Sequence, residues 1–323
     1  MTEMLYADAI VAGLREAMAG DENVHISGQY FVGLTEHRSK MVDLREDFPD
    51  RFYFPPIAEV GYAGAAIGAA MVGLRPIVDL ATASFMFQAF PQLLNEAANI
   101  HYMSGGRTKV PMVFHFNAGI RGRGASQHSH SPQAMLWNTP GLQIMLPSSP
   151  ADVLGLLRTA VASDNPVAWV DHVRLFDTVG PAPVNDDPIP FGLADVKRAG
   201  SDVTIVASSF MTVRSLSAAA KLADEGIDVE VVDLRSLVPL DERTIVESVA
   251  KTRRVVVVDE CHRRSGVGSE IVAVIAENLL GELAAPIRRV VTEDVPIPFS
   301  TPMEEFVEPT EAKIIDAVRA AVA

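Results

Sequence analysis

Short apolar runs rich in β-branched residues recur along this chain with helical stretches between them, and they do so twice. The first series reads "VHIS", "RPIVDLA", "VPMVFHF", "LQIMLP" and "PVAWVDH". Such runs are buried on both faces, and intervening helices cover those faces, so the pattern implies a mostly parallel α/β sheet. A proline-rich stretch without helical period, "TVGPAPVNDDPIPFGLADV", comes next. Proline removes backbone donors and fixes φ, so this stretch connects better than it builds. The alternation then restarts in "DVTIVASS", "DVEVVDL", "RRVVVVDE" and "PIRRVVT". A length of 323 residues exceeds one ordinary core. We therefore expect two doubly wound α/β domains, 1–180 and a smaller 199–323, joined by a linker over 181–198. In the second domain a helix is expected from about Met211 to Glu225, with Leu216, Ala219, Ala220 and Ala223 on one face and Gly226 closing it in the left-handed region.

Composition bounds the function. The formal charge of −14 repels nucleic acid and anionic membranes, so any anionic ligand must be held by local groups. One cysteine, Cys261, excludes an internal disulfide, and no four-ligand Cys/His cluster suggests structural zinc. The start "MTEMLYADAIVAGLREAMAG" reads as an amphipathic helix rather than a signal peptide, and the uncharged run Val60–Leu74 is too short to cross a bilayer. A cytoplasmic chain with no nucleic-acid or membrane partner is expected.

Three stretches carry candidate chemistry. In "FPPIAEVGYAGAAIGAAMVGL", Glu59 stands just before an apolar helix, where a carboxylate either caps the positive end or does chemistry there. Gly61, Gly64 and Gly68 put small residues along one side of that helix, which suits a close helix or subunit seam as well as ordinary burial. "FNAGIRGRGASQHSHSPQ" sets glycines, Arg121, Arg123, His128 and His130 in a loop after a strand, where parallel sheets present ligand-binding groups. A histidine there suits a general acid or hydrogen-bond donor better than a metal, since no third ligand is spaced for one. "DECHRRSGVGSE" mimics a phosphate-binding turn without the full glycine pattern, so a dinucleotide site is not expected, and Cys261 carries no sign of activation.

The segments "PPIAEVGYAGAAIGAAMVGLRPIVDL", "NEAANIHYMSGG", "QHSHSPQAMLWNTPGLQIMLPSSPADVLGLL" and "DNPVAWVDH", with "GIDVEVVDLRSLVPLDERTIVESVAKTRRVVVVDE" and "DVPIPF", resemble the β subunit of thiamine-diphosphate-dependent 2-oxo acid dehydrogenases. The resemblance covers almost the whole chain. It implies an N-terminal pyrimidine-binding domain and a transketolase-like C-terminal domain, and decarboxylation of a 2-oxo acid (pyruvate, a branched-chain acid, or an acetoin substrate) with acyl transfer to lipoamide. By the family pattern Glu59 contacts the pyrimidine ring nitrogen of thiamine diphosphate and relays the activating proton. Phe85 would stack on the pyrimidine with Gln88 near it, and His128 would serve the substrate or the incoming lipoyl group. Backbone carbonyls of Ala160, Val161, Ser163 and Asn165 match a structural potassium site. No Gly-Asp-Gly with a later Asn is present to hold the diphosphate's magnesium; "AGDEN" at 19–23 is not it. The resemblance therefore implies an α subunit that holds magnesium, an α2β2 heterotetramer, and a lipoyl-bearing acyltransferase as further partner.

The chain departs from the family where Gln29 and Tyr30 follow Gly28, where "FPDRF" is similar to transketolases, and where His130 stands beside His128. Two other readings stay open: a split transketolase-like subunit that transfers a two-carbon ketol unit, and a catalytically silent assembly partner. Arg121 and Arg123 would either meet a substrate carboxylate or dock a partner.

Overall fold

The computed structural model describes residues 2–29, 31, 37 and 39–323; Tyr30 lies outside the described residues. The chain divides into two compact units, residues 1–119 with 135–191, and residues 120–134 with 192–323. The loop that contains Arg121 and His128 thus leaves the first unit and packs within the second.

The first unit is built on parallel strands in the order Gln143–Met145, Val167–His172, Val113–Ala118, Arg75–Thr82, Val24–Gly28 and Phe52–Tyr53. Every residue of Val113–Ala118 and of Val167–His172 is buried, which is why these runs read as continuous rather than alternating. An antiparallel pair, Glu3–Leu5 with Val179–Pro181, ties the ends of the unit together. Helix Tyr6–Gly20 packs against helix Pro150–Ala162. Helix Pro150–Ala162 starts as its sequence dictates: Pro150 needs no donor, and the Ser149 hydroxyl accepts from Asp152 N at 3.2 Å. At the end of strand Val24–Gly28, a Cβ on Gly28 would lie 2.1 Å from the Asp79 carbonyl oxygen, and its φ of +100° is open only to glycine without strain.

The second unit has parallel strands Arg288–Thr292, Val255–His262, Val203–Ala207 and Val229–Asp233, with Asp195–Arg198 antiparallel at one edge. Its core joins these strands to helices Phe210–Ala223 and Glu311–Val322 through Ile205, Val231, Val256, Leu222, Ile314 and Val318. Helix Phe210–Ala223 buries a face rotated from the expected one. Met211, Thr212, Ser215, Ala218, Ala219 and Leu222 face inward, Leu216 is partly buried, and Ala220 and Ala223 are exposed. The polar pair is tolerated inside because Thr212 Oγ1 donates to Asp233 Oδ1 (3.2 Å) and Ser215 Oγ to Met211 O (2.7 Å). Gly226 takes φ +81° just beyond the helix. Among the described residues no helix is long and apolar enough to cross a membrane.

Candidate functional site

Glu59 is the first residue of helix Glu59–Met71, after Ala58 and the Pro55–Pro56 pair. It is only 8% exposed. The N-cap position is Ala58, which has no capping side chain, so Glu59 is not acting as a cap. One turn later Tyr62 is also buried, and its hydroxyl has no partner in hydrogen-bonding geometry. Burial first, then the nearby charges of Glu59 and Asp79, push the Tyr62 phenol far up; the Gln29 side chain acts the other way. A hydroxyl held this firmly stays a donor.

Strand Arg75–Thr82 runs into a 3-10 turn, Ala83–Ala89, that packs against the Glu59 helix. This turn carries Phe85, half-buried, and Gln88, exposed. Residues three apart in a 3-10 turn eclipse one another, so the two side chains leave the turn on the same side. Ser27 Oγ and both polar side-chain atoms of Asn117 are likewise buried without partners among the described residues, close to the carboxyl ends of strands Val24–Gly28 and Val113–Ala118. Buried polar groups are almost always answered, and the carboxyl end of a parallel sheet is where α/β folds bind ligands. Tyr62, Ser27 and Asn117, with Glu59, therefore fit a ligand that brings its own donors and acceptors, as an aminopyrimidine does.

Beneath this edge lies a charged cluster that the strand reading did not single out. His115 Nδ1 is 2.9 Å from Asp79 Oδ1, and His115 Nε2 is 3.3 Å from Asp171 Oδ2; all three side chains are fully buried. Asp171 also accepts from the Tyr6 hydroxyl, and Asp79 from Phe31 N (2.5 Å) and Ala81 N (3.0 Å). Phe31 stacks on the imidazole at 4.4 Å, and Trp169 meets it edge-on at 4.5 Å. Burial alone would push the His115 pKa down, but the hydrogen bonds and charges of Asp171 and Asp79 win and raise it to about 9. Asp79 thus holds both Phe31 and the left-handed Ala81 (φ +56°) that opens the Phe85 turn. A sequence signal existed: Asp79, His115 and Asp171 each break an otherwise apolar stretch in "RPIVDLA", "VPMVFHF" and "PVAWVDH".

In the second unit the loop Ile120–Ala134 is fastened by its backbone. Ile120 N donates to Glu260 Oε1 (2.9 Å), Arg123 N to Glu304 Oε2 (3.1 Å) and Cys261 Sγ to Ser131 O (3.3 Å). Arg123 Nε donates to Thr301 Oγ1 at 3.3 Å. The loop turns through left-handed Gly122, Arg123 and Ala125 and presents His128 to solvent. His130 is half-buried, and burial together with the His262 charge lowers its proton affinity. Cys261 is buried; desolvation and then the Asp259 charge push its thiol well up, so it is not a nucleophile. At the phosphate-like turn, Asp259 Oδ2 accepts from Gly268 N at 2.9 Å, so the chain's own carboxylate answers that helix start. The structure therefore brings Glu59, Phe85 and Gln88 together in one unit and places His128 in the other.

The four potassium residues lie at the end of helix Pro150–Ala162. Two of their carbonyls, Val161 O and Ser163 O, each accept from Arg75 Nη1 at 2.9 Å, while Arg75 Nη2 meets Asp164 Oδ1 at 3.1 Å. A guanidinium from the chain already serves this negative helix end, so these residues do not fit an added monovalent ion and no step below uses one. Among the described residues, no group of three or more His, Cys, Asp or Glu could hold a metal.

Two α/β units, the first with unanswered polar groups at its sheet's carboxyl edge, define a protein of the two-domain transketolase type. Residues 1–176 match the transketolase pyrimidine binding domain, and residues 192–314 the transketolase C-terminal domain. The chain is 41% identical over 313 residues to the pyruvate dehydrogenase E1 component subunit beta of Rickettsia felis, covering 97% of this chain and 96% of that one. It is 37% identical over 322 residues to the 2-oxoisovalerate dehydrogenase subunit beta of Bacillus subtilis, covering 99% and 98%. A solved split gene transketolase, described as an inactive beta4 tetramer, superposes with a TM-score of 0.78 at 27% identity, covering 99% and 98%. The chain belongs to the family of E1 component β subunits of 2-oxo acid dehydrogenases.

Proposed function

We propose that this chain is the β subunit of a thiamine-diphosphate-dependent 2-oxo acid dehydrogenase, which decarboxylates a 2-oxo acid and passes the acyl group to lipoamide. The observation that carries the reading is Glu59, a carboxylate on a residue only 8% exposed at the start of an apolar helix, one turn before Tyr62, whose buried hydroxyl has no partner among the described residues. A buried carboxylate needs a donor, and a pyrimidine ring nitrogen bearing a proton is one. Thiamine diphosphate, when bound, supplies the nucleophilic carbon and electron sink through which a 2-oxo acid loses carbon dioxide. The chain's part is to hold and tune. Glu59 exchanges a proton with the ring nitrogen, Phe85 offers an aromatic face, Gln88 a polar contact beside it, and Tyr62 a fixed donor. His128, exposed on its loop, is the group of this chain assigned to substrate or lipoyl proton transfer.

Magnesium on the diphosphate is assigned to an α partner in an α2β2 assembly, because this chain carries no Gly-Asp-Gly with a later Asn. The Glu59 helix supports a partner. Val60 is 50% exposed, Met71 also faces out, and a Cβ on Gly68 would meet nothing within 4 Å. A reducing cytoplasm, where Cys261 stays a thiol, suits the assembly.

The test is Glu59→Gln in the complex reconstituted with its α subunit. Decarboxylation is expected to fall about 10²–10⁴-fold, and unchanged turnover would instead favour the silent-partner reading. The structural match to a split transketolase makes a second assay necessary. Acylation of lipoamide supports the dehydrogenase; ketol transfer to an aldose would replace it.

A further inference from the structure

Arg121 opens the loop Ile120–Ala134 of the second unit with its side chain turned inward. Its Nε and Nη2 are both closed to solvent, and neither has a hydrogen-bond partner among the described residues. Burial lowers its proton affinity, with no carboxylate among the described residues acting the other way. A guanidinium does not shed its proton in a protein, so the positive charge stays where it is. Ser129, 3% exposed, has an unpartnered hydroxyl as well. The two side chains meet over Gly124: a Cβ there would lie 2.5 Å from Arg121 Cγ and 2.6 Å from Ser129 Oγ. Gly124 therefore serves space rather than backbone conformation, because any side chain would displace one of them. Nearby chemistry does not fill the gap. Glu304 is engaged by Arg123 N through Oε2 and forms no ion pair with Arg121.

We infer that Arg121 and Ser129 form a receptor for a carboxylate, that of the 2-oxo acid substrate. The Nε and Nη2 hydrogens of a guanidinium make a planar fork that fits two carboxylate oxygens, and the Ser129 hydroxyl adds a third donor. On a chain of net charge −14, an anionic substrate needs such a local cation. His128 precedes Ser129, so one loop carries both the carboxylate receptor and the proposed proton-transfer group. Naming the anion a 2-oxo acid rests on the proposed function; the receptor itself does not.

The test uses the full chain first and the reconstituted complex second. Pyruvate, neutral pyruvamide and inorganic phosphate are titrated into the wild-type chain, and binding is read by calorimetry and melting temperature. Pyruvate is expected to bind and pyruvamide not. Arg121→Gln should weaken pyruvate binding by at least tenfold, with Arg121→Lys and Ser129→Ala in between and all three still folded by circular dichroism. In the complex, Arg121→Gln should lower kcat/KM for the 2-oxo acid about 10–100-fold. Equal binding of pyruvate and pyruvamide, a response to phosphate alone, or unaltered pyruvate binding in Arg121→Gln and Ser129→Ala would overturn the receptor. If pyruvate binding depends on Arg121 while the complex decarboxylates no 2-oxo acid, the receptor stands and the proposed function falls.

Discussion

His115 is a cation fully buried by this fold and Arg121 one that is half-buried, and the fold treats their closed-off N–H groups in opposite ways. His115 sits between Asp79 and Asp171, with aromatic rings over and beside it. Arg121 keeps two buried N–H groups that have no hydrogen-bond partner among the described residues. Desolvation opposes the charge in both cases, but at His115 two carboxylates outweigh it and at Arg121 nothing does. Removing one member of a satisfied buried group leaves its partners stranded, whereas removing an unsatisfied charge strands no one. The first arrangement holds a fold together, and the second waits for a ligand.

The largest effect should come from breaking the satisfied side. His115→Leu leaves the buried Asp79 and Asp171 carboxylates without the cation between them and should cost about 3–5 kcal/mol of stability, read from urea unfolding of the chain. A midpoint within error of wild type would mean that the imidazole does not hold these carboxylates. Asp79 also bonds Phe31 N and Ala81 N, so the same variant should loosen the approach to the Phe85 turn, seen as faster amide exchange at those residues.

The same pair predicts a pH dependence of definite sign. The folded protein binds the His115 proton more tightly than the unfolded chain, with the pKa raised from 6.5 to about 9. Its contribution is therefore full below about pH 6.5 and fades as pH rises through the folded value of about 9. Wild-type stability should decline over that window, while His115→Leu, with no such proton, should lack this part of the slope. The groups facing the imidazole are Asp79, Asp171 and the Tyr6 hydroxyl bonded to Asp171.

Arg75 is the intermediate case: a part-exposed guanidinium whose acceptors are helix-end carbonyls and Asp164. Arg75→Met should cost about 1–2 kcal/mol, since charge-assisted bonds at a partly exposed helix end are weaker than buried pairs. Comparing potassium with sodium sharpens the point. If potassium restores the variant's melting temperature and leaves wild type unmoved, the carbonyls accept an ion only when Arg75 is gone. Potassium stabilising wild type as strongly would put an ion beside the guanidinium.

What the sequence disclosed follows from the same physics. Strands buried on both faces announce themselves as apolar runs, so the two α/β series and the Glu59 helix were legible. Glu59, Phe85 and Gln88 were picked by resemblance, and the structure adds that their elements pack together. Asp79, His115 and Asp171 were passed over because each lies inside an apolar run, and only strand register shows that they answer one another. The loop Ile120–Ala134 sits between two elements of the first unit in sequence, and its allegiance to the second depends on bonds to Glu260 and Glu304, which are 140 and 181 positions away. Thr212 and Ser215 lie off the face that Leu216, Ala219, Ala220 and Ala223 led one to expect, and they are inside because each has an acceptor.

The smallest effect on stability should come from the unsatisfied side, and its sign is what separates the two regions. Arg121→Met keeps the length and much of the volume of the side chain while removing a charge that no carboxylate among the described residues opposes. No acceptor is stranded, because Nε and Nη2 have none. The apo chain should then be unchanged or gain up to about 1 kcal/mol, measured by urea unfolding beside His115→Leu. If Arg121 instead anchored its loop as His115 anchors its sheet, the variant would lose several kcal/mol and the loop would exchange faster. A neutral or stabilising outcome, together with weakened carboxylate binding, would mark Arg121 as a residue kept against the interest of stability. That combination is expected of a group preorganised for a ligand, because the free energy withheld from folding is released only when the anion arrives.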